Sequence, residues 1–82
     1  MKQFPTFNIA RIVRFHRKKA KLTQAKLAKL AGVGKTAVFD IEKGKDSIQV
    51  STLLAVLYVL NIQLIPQSPI MHLFNQAENE KS

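Results

Sequence analysis

The stretch from Leu22 to Gly44 constrains this chain more than any other, because it holds two short helical patterns hinged at one glycine. Thr23 is placed to cap the first of them, its hydroxyl accepting from the free amides of the opening turn, while Leu27, Ala28 and Ala31 fall on one face. Gly32 ends that helix as a left-handed residue after its last turn. A second pattern from about Lys35 to Lys43 buries Val38 and Ile41, three apart, and Gly44 stops it. Lys35, Thr36, Phe39, Asp40 and Lys43 are left pointing outward. So short a connection makes the two helices one compact unit that other helices must cover.

The flanking sequence supplies the cover. Asn8 or Thr6 is a candidate cap for a first helix to about Ala20, with Ile9, Ile12, Val13 and His16 at helical spacing and Arg11, Arg14, Arg17, Lys18 and Lys19 on its other face. Residues 45–50 read as a loop, and Ser51 as the cap of a fourth helix over residues 52–60. This helix has two apolar sides: Leu53, Val56, Leu57 and Leu60 make one, and Leu54, Tyr58 and Val59 cover much of the other. One small core cannot bury both, so a second copy of the chain is expected over the outer side. Residues 61–66 alternate apolar and polar up to Pro66 and read as a short strand, whose natural partner is the same strand of that copy. Leu54, Tyr58, Ile62 and Leu64 are the expected dimer contacts. The reading is therefore all-α, four to five helices with one C-terminal strand pairing across a homodimer. Residues 1–66 form the domain and residues 67–82 a flexible tail, disordered from Gln76, with residues 70–74 as an apolar island that either docks on a partner or folds back on its own domain.

Charge narrows the function. Among 82 residues, 13 Lys and Arg face 5 Asp and Glu, a formal net charge of +8, which favours a polyanion such as nucleic acid as partner. With no cysteine, thiolate metal sites, disulfides and cysteine catalysis are excluded together. The N-terminus lacks a signal-peptide run and the longest apolar stretch, residues 53–60, is too short to span a bilayer, so a cytoplasmic protein without membrane contact is expected.

Leu22-Thr23-Gln24, Leu27-Ala28, Ala31-Gly32-Val33, Val38, Ile41-Glu42 and Gly44 together resemble the Xre/Cro-type helix-turn-helix repressors, over residues 11–60. The Lys43-Gly44-Lys45 exit, the apolar fourth helix and residues 62–65 are similar to the HipB-type antitoxin repressors. The resemblance implies a lambda-repressor-like domain on a palindromic double-stranded DNA operator, repressing its own operon, with a HipA-like kinase toxin as a second partner and no cofactor. It further implies that Gln24 clamps a phosphate, that Lys43 and Lys45 contact the backbone, and that Arg17 pairs with Glu42 to tie the first helix to the third. Lys35, Thr36 and Asp40 would then read bases, through guanine O6/N7, a hydroxyl or methyl contact, and cytosine N4 respectively. Phe39 either meets a thymine methyl beside them or tucks against the core edge.

Other functions fit less well. Gly32-Val33-Gly34-Lys35-Thr36 looks like the end of a phosphate-binding loop, yet Lys29 stands where the leading glycine belongs and a helix precedes it instead of a strand. Two histidines, one in a basic helix and one in the tail, offer neither a metal site nor a positioned catalytic base, so no enzyme is expected. The alternatives to an antitoxin are a stand-alone phage- or plasmid-type repressor and, from a different class, a protein-interaction module whose charge is incidental.

Overall fold

The computed structural model describes residues 8–81. Five helices follow in order: α1 (Ile9–Lys19), α2 (Gln24–Ala31), α3 (Lys35–Lys43), α4 (Val50–Val59) and α5 (Met71–Lys81). Val13, Leu27, Ala28, Val38, Ile41, Val56 and Leu57 form one buried core to which the first four helices all contribute. Ile9, Leu22, Val33, Ile48, Leu53, Leu60 and Ile62 pack around its margin. On α1 only Val13 is fully buried; Ile12 and His16, expected on the inner face, stand outward. The inward stripe runs instead through Ile9, Val13 and the half-buried Arg17, which are spaced four apart.

Four helices end in the same way. After α1, α2, α3 and α4 a single residue turns left-handed: Lys21 (φ 60°), Gly32 (71°), Gly44 (87°) and Asn61 (59°). The next amide then reaches back five residues, Leu22 N to Arg17 O at 3.1 Å, Val33 N to Ala28 O at 3.0 Å, Lys45 N to Asp40 O at 3.0 Å and Ile62 N to Leu57 O at 2.9 Å. This is the Schellman arrangement, in which the residue beyond the turn usually makes an apolar contact with the last turn of the helix. Leu22, Val33 and Ile62 do this by packing on the core. After α3 the position holds Lys45, whose ammonium lies 3.6 Å from Asp40, so an ion pair stands where the other three ends use hydrophobic contact.

Thr23 caps α2 as expected, its hydroxyl accepting from Lys26 N at 3.0 Å. Asn8 occupies the cap position of α1 without a side-chain hydrogen bond, and Thr6 lies outside the described residues. The fourth helix starts two residues before the expected boundary: Gln49 is its cap residue and Ser51 sits inside the first turn. The described residues contain no β-strand. The segment expected to be one begins at the Asn61 turn, and Ile62, assigned to a dimer contact, packs on the chain's own core. Alternation of apolar residues is shared by a strand and by a helix exit that drops one side chain onto the core, and a ladder needs a second strand, which a single chain does not offer here. The expectation of disorder from Gln76 is also corrected, since residues through Lys81 belong to α5, none of whose side chains is buried.

Because a non-glycine side chain in the left-handed region is strained, Lys21→Gly should stabilise the domain by about 0.5–1 kcal/mol, the relief of strain exceeding the entropy added to the unfolded chain. Urea titration of wild type and variant checks this, with the same slope and a higher midpoint expected for Lys21→Gly.

Candidate nucleic-acid interface

On α3, Thr36, Phe39, Asp40 and Lys43 recur at helical spacing and make one outward stripe, with Lys35 beside its start. Lys35, Thr36 and Lys43 are exposed, and Phe39 stands clear of the core, 49% exposed, with the Lys43 ammonium 5.5 Å from its ring centroid. Asp40 is half-buried and its carboxylate faces Lys45. Two side chains read from sequence as separate contacts, one to a base and one to the backbone, therefore touch each other. The outer residues of the stripe are donors, an apolar ring and a hydroxyl, a set suited to base edges in a major groove.

Behind the stripe lies a polar network. Arg17 grips Glu42 with two donors, Nε to Oε2 at 2.6 Å and Nη2 to Oε1 at 3.0 Å, and its Nη1 donates to Leu22 O at 2.8 Å. Gln24 Nε2 also donates to Glu42 Oε1, at 3.1 Å. The side chains of Arg17 and Glu42 are only 11% and 5% exposed, so this fork joins α1, α2 and α3 in a poorly solvated place where its geometry counts. Burial by itself would raise the Glu42 carboxyl, but hydrogen bonds from Arg17 and Gln24, and the charges of Arg17 and Arg14, outweigh it and hold the group below the ordinary glutamate value. The hydrogen bond to Glu42 likewise outweighs burial at Arg17 and raises its guanidinium above the ordinary arginine value.

Gln24 is the first residue of α2. Glu42 uses one of its two amide hydrogens, fixing the side chain with the second still available to an acceptor such as a phosphate oxygen. Thr23 takes the Lys26 amide, and the Gln24 and Ala25 amides open the same helix end, where positive dipole and free donors favour an anion. Arg14, Arg17, Gln24, Phe39, Glu42 and Lys43 line one shallow concavity, which joins the start of α2 to the α3 stripe. Arg14 was not singled out in the sequence, where it is one of several cations on α1; its position three residues before Arg17 is the signal that was there to use.

His16 stands exposed on α1 with Nδ1 2.7 Å from Ile12 O, and among the described residues no group of histidine and carboxylate side chains could hold a metal ion. Among them too, no helix is long and apolar enough to cross a membrane. Leu54 and Tyr58, assigned to dimer contact, are 47% and 83% exposed and Leu64 is 48% exposed.

The Helix-turn-helix family matches residues 13–65, the span that holds α1 from Val13 through α4 and its exit. The chain belongs to the Xre-type helix-turn-helix family. It is 39% identical over 57 residues to the HTH-type transcriptional regulator y4mF of Sinorhizobium fredii, covering 70% of this chain and 75% of that protein. Its fold superimposes on HipB-containing structures. One is a HipA–HipB–O2–O3 complex, at a TM-score of 0.70, 20% identity and coverage of 84% of this chain and 97% of the other. Another is a complex of a HipB variant with an O2 20mer, at a TM-score of 0.69, 22% identity and coverage of 84% and 96%. The MDT Protein matches with a TM-score of 0.70 and 20% identity over the same shares as the first. The protein is thus a helix-turn-helix transcriptional regulator with a HipB-like fold and belongs to a non-enzymatic, DNA-binding class.

Removing one partner of the fork strands the other in a poorly solvated site, so Glu42→Ala should cost about 3 kcal/mol of stability. Glu42→Gln, which keeps the shape but not the charge, should cost about 2 kcal/mol at neutral pH. The native carboxyl titrates lower than the unfolded one, so the ionic part is fully present above the ordinary glutamate value of about 4.3 and is lost as pH falls through the lowered native value. Thermal melts at pH 7 and then in steps down to pH 3 should show the gap between wild type and Glu42→Gln closing on acidification.

Proposed function

We propose that this regulator is a sequence-specific DNA-binding repressor that binds a palindromic operator as a homodimer, and that it is the antitoxin of a HipBA-like pair, autoregulating its operon and binding a kinase toxin. The observation that carries the DNA reading is the hydrogen bond from Gln24 to Glu42, which sets a phosphate-competent amide beside the outward stripe of α3. In this reading Gln24, Lys43 and Lys45 hold the backbone while Lys35, Thr36 and Phe39 meet base edges. Asp40 contributes chiefly by holding Lys45, and reads cytosine only when that ion pair opens. The likeness to HipB in complexes with O2 and O3, with and without HipA, supports both partners.

Dimerisation is supported by an unpartnered stripe on α4. Val50, Leu54 and Tyr58 are four apart and 69%, 47% and 83% exposed, and Leu64 and Ile65 extend the apolar surface beyond the helix exit at 48% and 70% exposed. An apolar surface of this extent on so small a chain fits burial against a second copy. The C-terminal strand belongs to this proposal too: residues 62–65 would pair with their counterparts in the dimer. Tyr58→Asp should convert a dimer into a monomer in sedimentation at micromolar concentration without unfolding it, because Tyr58 lies almost wholly in solvent in the single chain.

DNA binding is tested with duplexes from the DNA upstream of the chain's own gene. Gln24→Ala should weaken binding to all sequences alike, and also remove a hydrogen bond worth up to about 1 kcal/mol of stability, so binding is compared well below the melting temperature. Thr36→Ala and Lys35→Ala should change the preferred bases, with losses of about 1–3 kcal/mol at the cognate site. Half-site centres should lie about 34 Å apart, and inserting about five base pairs between them should abolish cooperative binding. Co-purification with the product of an adjacent kinase-like gene tests the toxin. If no such gene or complex exists, the stand-alone repressor is the correct reading.

A further inference from the structure

The outward half of α1 is divided in two. Phe15, Lys19, Ile12 and His16 occupy the side away from Arg17, with the Lys19 ammonium 5.6 Å from the Phe15 ring centroid and Phe15 and His16 in edge contact. Arg11, Arg14 and Lys18 occupy the other side, at positions i, i+3 and i+7, and follow one line along the helix. That line borders the candidate interface: Arg14 shares its concavity with Gln24, Phe39 and Lys43, and its charge acts on Glu42. Arg11 and Lys18 lie roughly one turn to either side.

None of these three cations forms an ion pair among the described residues. Among the described residues the ion pairs are Arg17–Glu42, Lys45–Asp40 and Lys81–Glu78, and α1 carries no acidic side chain. Arg11, Arg14 and Lys18 are all exposed. Seven residues of helix span about 10 Å, while one strand of duplex DNA presents a phosphate every 3.4 Å or so of its axis, so the line is long enough to face about three phosphates. Helix packing alone does not call for such a line, because the core contacts of α1 are met by Ile9, Val13 and Arg17 on the adjoining, inward side.

We propose that Arg11, Arg14 and Lys18 form a second phosphate-binding rail that carries the DNA backbone past the Gln24 clamp and extends the contact beyond the bases read by α3. This rests on the DNA-binding reading above. The rail supplies affinity and orientation without base preference, as backbone contacts do.

The test uses the full chain in which Arg11, Arg14 and Lys18 are all replaced by glutamine, which keeps helix propensity. Its control replaces Lys19, Lys29 and Lys81, so both lose three charges. Binding to the upstream duplex is followed by fluorescence anisotropy from 50 to 300 mM salt. Each lost phosphate contact lowers the slope of log K on log salt by about 0.9, so the rail variant should lose about 2.7 in slope and at least tenfold in affinity at 100 mM salt. Its selected base motif should stay unchanged, and the control should lose less than 1 in slope. Equal losses in the two variants, or an unchanged slope in the rail variant while Gln24→Ala still weakens binding, would overturn the rail and leave the DNA reading standing. A wild-type chain that binds no duplex selectively would overturn both.

Discussion

A part-buried charge pair between residues 25 apart in sequence organises this domain. Arg17 reaches from α1 to both carboxylate oxygens of Glu42 on α3, collects the Leu22 carbonyl with its third donor, and shares Glu42 Oε1 with the Gln24 amide from α2. Three helices are thereby held by one fork whose donors and acceptors satisfy one another, and no side-chain polar atom is left buried and unpaired among the described residues. A pair of this kind adds little stability over a well-packed apolar alternative; its effect is on geometry. The apolar core of valines, leucines and isoleucines permits small slips of one helix over another, whereas two parallel hydrogen bonds to a carboxylate do not. The placement of Gln24 relative to the α3 stripe depends on that rigidity.

The helix ends act in the same direction. Each of the four packed helices closes with a left-handed residue and a back-reaching amide, and in three cases the following apolar side chain drops onto the core. The connections are therefore short and determined, not slack. At α3 the corresponding contact is the Lys45–Asp40 ion pair, placed at the edge of the candidate interface, where an approaching phosphate can compete for the ammonium. The exception falls where a chain that only had to fold would gain more from an apolar contact.

Charge and exposed apolar surface lie on different elements, meeting where Val50 and Lys45 line one concavity. The α3 stripe, the start of α2 and the Arg11–Arg14–Lys18 line form one polar, cationic side, while Val50, Leu54, Tyr58, Leu64 and Ile65 form an apolar surface outside the core. A DNA-binding dimer needs such a division, since the surface that excludes water against a second copy cannot also be the surface that meets phosphates.

The sequence by itself determined the four core helices, the Thr23 cap, the turns at Gly32 and Gly44 and the buried residues of α2 and α3, because these follow from local hydrogen bonding and from apolar spacing within a few residues. It also made the outward stripe of α3 legible, since positions that are not buried on an amphipathic helix are exposed. Lys21 and Asn61 as left-handed turn residues were not legible, because neither carries the glycine that signals such a turn. The pairing of Arg17 with Glu42 was legible only through the family resemblance, since spacing alone sets Arg17 among the outer cations of α1; the seat of Ile62 on its own core, the Asp40–Lys45 contact and the border position of Arg14 were decided only by tertiary structure. A cation's spacing does not say whether a carboxylate waits across the fold. An alternating run does not say whether its apolar side chains meet another strand or the nearest core, since that depends on where distant helices have already placed their side chains.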